Sequence, residues 1–437
     1  MLDLIIKNGK CYIDKDLKDQ DIAIKEGKII EIGKINKEAK EILDAKDLLV
    51  LPGCMDTQTH FREPGSTDTE DLHTGSRAAI VGGITSVFEM PNTNPPTANK
   101  KEFQRKLDLA KNRMYCNYGF YFGATPDNAN ELADLKDLEG CCGIKLFAGS
   151  STGNLLVQHE KDIEIVFKNS SKVVAVHSED EEILNRNKKL IKDGDVHSHP
   201  IWRSAECAIS STRRIVKIAE RYKKKAHILH VTTKDEIDFL SQHKGNITFE
   251  ITPQHLTIYA PDCYNKLGTY AQMNPPIRDK SHYDRLWYGV KNNLNDTIGS
   301  DHAPHLKINK DKTYPNSPSG MPGVQTLMPV MLNHINDGKL TLEQLMNFVC
   351  ENPVKIFGIE NKGFIKEGFD ADFTVVDMNK KILIKNENIE SKCGWSPFDG
   401  TEFKGLPVST IVAGKIKMKN GEILGDPEGS PLVFKNE

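Results

Sequence analysis

No run of apolar residues in this chain approaches the roughly 20 needed to cross a bilayer, so nothing in it reads as a membrane span. Neither sign of charge dominates: 58 basic against 61 acidic residues leave a formal net charge of −3. That balance argues against a nucleic-acid surface as the protein's main business. The nine cysteines are an odd number with no Cys-x-x-Cys spacing, so neither a disulfide framework nor a cysteine zinc site is indicated. Cys141 and Cys142 are adjacent and read as small buried residues ahead of a strand, a redox-active pair being the alternative. The opening residues, Met1 to Lys7, alternate like a strand and lack the basic, apolar and cleavage regions of a secretory signal. The expected address is therefore the cytoplasm. What is present is 437 residues, 38% hydrophobic and 27% charged, which suits one large globular domain with room for a smaller partner.

The two ends of the chain are rich in short alternating segments: residues 4–7, 21–25, 28–32 and 41–44, then 371–377, 381–384, 408–412 and 416–419. Glu26-Gly27 supplies a hairpin turn between two of them. Neither end carries enough apolar side chains to bury a core alone. The expectation is one composite β-rich domain built from residues 1–50 and 360–437. Between them, eight apolar, β-branched runs alternate with helical stretches: 49–51, 85–90, 117–123, 143–147, 173–177, 227–231, 248–251 and 297–300. Helical periodicity covers 71–80, 99–111, 205–222, 234–242 and 342–352. Eight such units predict an α/β fold, a (β/α)₈ TIM barrel over residues 51–359. The polar stretch 307–323, rich in Pro, Ser and Gly, reads as a loop after strand eight, where a barrel can carry an active-site lid.

Chemistry-bearing residues fall at the C-terminal ends of these strands, the face on which a barrel works. Strand one runs into Asp56, Gln58, His60 and Arg62; strand two into Asn92; strand four holds Lys145. Strand five ends at His177, strand six at His230 and strand eight at Asp301. Three histidines, an aspartate and a lysine on converging strands make a plausible zinc site, with Asp301 placed as a proton-shuttling carboxylate.

These residues stand in segments that resemble, almost end to end, the dihydroorotases of the cyclic amidohydrolase superfamily. The segments are Asp56-x-x-x-His60-Phe-Arg62-Glu-Pro-Gly65, Met90-Pro-Asn92-Thr-Asn-Pro-Pro96, Gly143-Ile-Lys145-Leu-Phe147, Val176-His177-Ser-Glu-Asp180, His227-Ile-Leu-His230, Met273-Asn274-Pro-Pro-Ile-Arg278 and Gly299-Ser-Asp301-His-Ala-Pro-His305. The resemblance implies a zinc-dependent enzyme that interconverts dihydroorotate and N-carbamoyl-L-aspartate in pyrimidine biosynthesis. His60 would bind one zinc, and His177 and His230 the other. Lys145 would be carboxylated on its side-chain nitrogen and bridge the two. Asp301 would touch the first metal and carry the proton. Arg62, Asn92, Asn274 and His305 would hold the substrate, with the backbone at Ser319 and Gly320. A homodimer and an association with aspartate transcarbamoylase are the partners the family implies, beside the small-molecule substrate.

One departure is plain. Where the superfamily usually has His-x-His, this chain has Gln58-Thr59-His60, as some bacterial relatives do. A carboxamide oxygen is a weaker zinc ligand than imidazole. The expected content is one or two zinc ions, the tighter held by Lys145, His177 and His230. Two other readings compete: another cyclic amidohydrolase, such as an allantoinase or hydantoinase, and a catalytically silent partner of aspartate transcarbamoylase. Arg62 speaks for a dihydroorotase, since the resembling allantoinase segment carries Asn there.

Bland readings attach to several of these residues. Arg62 could pair with Glu63 or Asp68, and Asn92 and Asn274, beside prolines, could simply build turns. His197 and His199 read as a surface loop, and His255 as lining the pocket without binding metal. His302 reads as support for the turn that aims Asp301. Glu179 to Glu182 read as a solvated acidic helix start.

Overall fold

The computed structural model describes residues 1–151 and 155–435; the last two residues of the segment 360–437 lie outside that range. Eight parallel strands follow one another around a nearly closed barrel: Cys54–Thr59, Ile84–Glu89, Asn117–Gly123, Cys141–Phe147, Val174–His177, Ala226–Ile228, Ile247–Ile251 and Thr297–Ile298. The last strand is only two residues long, and the seam beside it is completed past its end. There Thr59 bridges His302, and His60 N–H donates to the His302 carbonyl at 2.7 Å. That closure brings the ends of strands one and eight side by side.

The first barrel strand differs from the sequence expectation. The apolar run Leu49–Pro52 belongs to the terminal sheet, where Val50 lies opposite Val375. The barrel strand is the next segment, Cys54–Thr59, every residue of which is buried although Asp56, Thr57, Gln58 and Thr59 are polar. Barrel interiors usually hold branched apolar side chains. Here the inner positions near the C-terminal end are polar, so hydropathy pointed to the wrong run.

Helices cover the outside, and their ends are written in the sequence. Leu72–Val81 starts at a capping box of Asp71 and Thr74, and Lys234–Leu240 at one of Thr233 and Glu236. Ser204 caps the long helix Ala205–Tyr222, whose buried face carries Ala208, Ile215, Val216 and Ala219. The predicted helix 342–352 runs further: Leu342–Met346 widens through Asn347–Glu351 and continues as Asn352–Phe357.

The second sheet has nine strands from both ends of the chain. Its order is Glu422–Ile423, Lys415–Lys419, Glu402–Val412, Phe373–Leu383, Leu49–Pro52, Leu2–Ile13, Asp16–Lys25 and Lys28–Gly33, with Ala39–Asp44 beside Leu2–Ile13. Leu4, Ile6, Ile22, Ile24, Val50, Phe373, Val375 and Ile411 form its core, so N- and C-terminal side chains share one apolar interior. Glu26 and Gly27, both at positive φ, make the hairpin turn expected of them. The segments 371–377 and 381–384 form one strand, Phe373–Leu383, with a break in register between Asp377 and Lys381.

From this sheet the chain between residues 384 and 402 crosses the C-terminal face of the barrel. Arg77 pairs with Glu390 there, and Ser391 donates to Glu70. The Trp395 indole N–H donates to the His305 carbonyl at 2.7 Å. Among the described residues no helix is long and apolar enough to cross a membrane. All nine cysteines are unpaired and buried, Cys141 and Cys142 included.

Candidate active site

The residues singled out by the sequence meet in one pocket at the C-terminal end of the barrel. Gln58, His60, Arg62, Asn92, Lys145, His177, His230, Asn274, Asp301, Ser319 and Gly320 line it. His305 stands just behind, its Nε2 at 3.0 Å from the Ser319 carbonyl and 3.4 Å from the Arg62 guanidinium. A wider cleft beside Tyr12 and Phe364 holds none of these groups.

Three of these side chains leave backbone in the left-handed region that non-glycine residues seldom adopt: Arg62 at φ 63°, His230 at φ 38° and Asp301 at φ 44°. Such strain persists only where the surroundings over-determine it, and it concentrates at working sites.

On one side of the pocket, His177 Nδ1 is 3.0 Å from His230 Nε2. The other nitrogen of His177 is 2.9 Å from Glu179, and Glu179 is held by the Arg203 guanidinium. Burial alone would raise the Glu179 carboxyl; the Arg203 charge and the His177 contact outweigh it and hold it well below the carboxylate range. On the other side, His60 Nε2 lies 3.2 Å from Asp301, and the Gln58 amide donates to the same Asp301 oxygen at 3.0 Å. His60 Nδ1 is 2.8 Å from the Asn92 side-chain oxygen. Burial lowers the basicity of His60, His177 and His230, so all three imidazoles are neutral and able to ligate.

Lys145 acts electrostatically on both histidine groups. Its ammonium, 1% exposed, has no hydrogen-bond or ion-pair partner among the described residues and sits 4.6 Å from the Phe147 ring centre. Burial pushes its pKa down and that of Asp301 up, each partly restored by the other's charge.

The donor set fits a metal. Among the described residues no three His, Cys, Asp or Glu side chains converge on one point. Two histidines alone are too few for zinc; Lys145 lines the same pocket and could ligate only without its proton. Two buried acceptors in the pocket, Gln58 Oε1 and His230 Nδ1, also have no hydrogen-bond partner.

Arg62 is buried and does not pair with Glu63, which binds Arg113 at 2.8 Å instead. Its Nε donates to the Pro304 carbonyl at 3.3 Å, no carboxylate lies within ion-pair distance among the described residues, and burial lowers its pKa to about 10.

Several sequence readings need correction. His199 is not a surface residue: it is 1% exposed, and its Nε2 lies 2.9 Å from the Met273 carbonyl and 3.1 Å from the Asn274 side chain. His255 braces the Pro275 carbonyl at 3.3 Å rather than lining the pocket. The acidic run does start a helix, with Asp180 capping Glu181–Asn187, but it is not solvated: Glu179, Asp180 and Glu181 are buried, Glu179 fully, against His177 and Arg203. His302 does support its turn, accepting from Gly323 N–H at 3.0 Å. Three contributors escaped the sequence reading altogether, Arg203, Gln272 and Lys310, and a fourth, Glu179, was read only as part of a helix start. Each looks like an ordinary polar surface residue in its own neighbourhood, and only distant partners reveal it.

A barrel whose strand ends gather histidines, a lysine and an aspartate into one pocket defines a hydrolase class, and the chain belongs to the amidohydrolase family, whose model matches residues 49–417. It is 34% identical to a dihydroorotase of Methanosarcina acetivorans, over 98% of this chain and 94% of that one. It is 33% identical to a dihydroorotase of Pyrococcus furiosus, over 99% and 97%. Among solved structures it is similar to the L-hydantoinase (dihydropyrimidinase) of Arthrobacter aurescens, with a TM-score of 0.94 and 29% identity over the whole of both chains.

Proposed function

We propose that this chain is a zinc-dependent dihydroorotase, opening dihydroorotate to N-carbamoyl-L-aspartate and closing it again in pyrimidine biosynthesis. The observation that carries this reading is Arg62: a buried guanidinium at the pocket, contacted by a carbonyl and an imidazole and by no carboxylate. A planar cation kept in that state is suited to a carboxylate brought by the substrate. Dihydroorotate carries one, whereas an unsubstituted hydantoin or dihydropyrimidine ring does not.

Lys145, as its carbamate, would hold zinc together with His177 and His230, while His60, Asp301 and Gln58 would hold a second, weaker ion. Bound zinc would supply an acidified water and polarise the amide carbonyl. The remaining work belongs to the chain. Asp301, its carboxylate held by Gln58, takes the proton of the attacking water and delivers it to the departing ring nitrogen. In the closing direction it runs the same transfer backwards. Asn92 and Asn274 present amides to the ring, their own positions fixed by His60 and His199. His305, braced on the Ser319 carbonyl, stands beside Arg62 at the carboxylate end.

The test is zinc content per chain measured in the same preparation as turnover of dihydroorotate, carbamoyl-aspartate, hydantoin and allantoin. Turnover of the first pair with at least one zinc per chain supports the reading. Activity on hydantoin or allantoin alone, or a zinc-loaded chain inert to all four, would overturn it.

A further inference from the structure

Lys310 is fully buried, at 0% exposed, and no carboxylate lies within ion-pair distance of it among the described residues. Buried lysines are rare unless paired. Its partners are instead three backbone carbonyls: Gln272 at 3.2 Å, Pro318 at 2.8 Å and Gly320 at 3.2 Å. They come from the two stretches that wall the substrate end of the pocket, one reaching Asn274 and the other holding Ser319 and Gly320. Only an ammonium offers three N–H donors for three carbonyls; a neutral amine offers two and turns a lone pair on the third.

The arrangement has a direction. In a trans peptide the carbonyl and the following N–H point opposite ways. Anchoring the Pro318 carbonyl on Lys310 therefore turns the Ser319 N–H away from it, and that N–H has no hydrogen-bond partner among the described residues. Gln272 completes the knot: its carbonyl accepts from Gly320 N–H at 2.9 Å, and its side chain bonds Ser317 and Ser319. Gly320 has no room for a side chain, since a Cβ would lie 2.4 Å from the Ala303 carbonyl.

We propose that Lys310 is the positioning residue of the substrate end of the pocket: its ammonium draws the carbonyls of Gln272, Pro318 and Gly320 together and so aims the Ser319 amide at bound substrate. The kinetic consequence rests on the dihydroorotase reading; the order of the loop does not. Loss of the third donor loosens the 317–321 loop, so substrate binding weakens more than chemistry does.

Burial without an anion pulls the Lys310 pKa down to about 7. The other groups around it do not titrate just above neutrality: His199 and His305 are held low by burial, and Tyr270 and Cys393 are raised to about 12 and about 11. Lys307 and Asp311, on its own segment, face solvent.

The experiment takes the zinc-loaded enzyme with Lys310→Met and Lys310→Arg. The Met variant is expected to raise KM for dihydroorotate about tenfold or more with kcat within about threefold, and Arg, which keeps the charge and donors, to recover part of the loss. Hydrogen exchange of the Gly320 amide, which is bonded to the Gln272 carbonyl, is read alongside, corrected for its intrinsic rate. It is expected to quicken in the Met variant and, in the unmodified enzyme, between pH 7 and 9.5. Unchanged KM with unchanged exchange overturns the proposal, as does a kcat loss that Arg does not relieve. Should the Met variant not fold, Lys310→Gln, which offers two N–H donors, takes its place, and unchanged KM with unchanged Gly320 exchange overturns the proposal. If the enzyme does not turn over dihydroorotate, the functional reading fails, while exchange still decides the role of Lys310.

Discussion

His177 and His230 meet nitrogen to nitrogen, 3.0 Å apart, with ring planes crossed at 77°. Glu179 accepts the N–H of the far nitrogen of His177, which leaves the near one as a lone pair facing the pocket. The carboxylate thus decides which nitrogen is available to ligate, and Arg203 keeps it charged in a site it would otherwise leave protonated. Lys145, without a hydrogen-bond or ion-pair partner among the described residues, lines the same pocket.

Glu179→Gln should therefore act on the metal before it acts on the chemistry. Removing a carboxylate behind a ligating histidine typically costs about 10- to 100-fold in metal affinity. Competition with a chelator of known affinity measures it. The variant also leaves the buried Arg203 charge without its partner, so stability should fall by roughly 3–5 kcal/mol, read from denaturant unfolding. Unaltered zinc affinity in a folded variant would refute the positioning role.

Truncating Arg62 to Ala tests the carboxylate end. The guanidinium makes its protein contacts only with a carbonyl and an imidazole, so the loss should fall on substrate binding. A lost charge-assisted contact of about 1.5–3 kcal/mol corresponds to KM rising roughly 10- to 100-fold, with kcat much less affected. An unchanged KM for dihydroorotate would remove the substrate's carboxylate from Arg62.

What the sequence allowed, and what it hid, follows from where each residue's partners lie. Asp301, His177, His230 and Lys145 were legible because a barrel gathers strand ends, so spacing along the chain translates into convergence in space. The eight-strand count was right, but Leu49–Pro52 was mistaken for the first barrel strand because it is more apolar than Cys54–Thr59. A polar strand buried inside a barrel looks like a loop to any hydropathy pattern. Glu179 was hidden by acidic neighbours that do begin a helix, and its partner Arg203 lies 24 residues further on. Lys310 sits in a polar stretch where a lysine normally reaches solvent; nothing local announces three carbonyls closing on it.

Acid should destabilise the protein through its buried neutral histidines. His199, His255 and His334 all have pKa values lowered to about 3 by burial. The unfolded chain takes up those protons near pH 6.5, the folded one only near 3. Their contribution is thus intact above pH 6.5 and is lost as pH falls from there toward 3, at about 1.4 kcal/mol per pH unit for each group. His334 lies outside the pocket, 3.0 Å from the Thr257 hydroxyl and edge-on to Trp287. His334→Gln should flatten the fall in unfolding free energy between pH 6 and 4 by about one such increment. An identical slope in the variant would show that His334 takes up its proton as readily folded as unfolded.

Asp301→Asn removes proton transfer while keeping the shape of the residue. The amide matches the carboxylate in shape, so the backbone at φ 44° and the packing around it can stay as they are. Its oxygen can still accept from the Gln58 amide, now at 3.0 Å. What it cannot do is take a proton from water and hand it to the ring nitrogen. Turnover should fall at least about 10²- to 10⁴-fold, the range for losing a positioned acid–base group. Zinc held through Lys145, His177 and His230 should remain, because none of these depends on Asp301 for a hydrogen bond. Zinc content and single-turnover rates on the same sample separate the two roles. A variant that keeps its metal and its rate would strip Asp301 of the shuttle. One that loses its metal along with its rate would make it a ligand first.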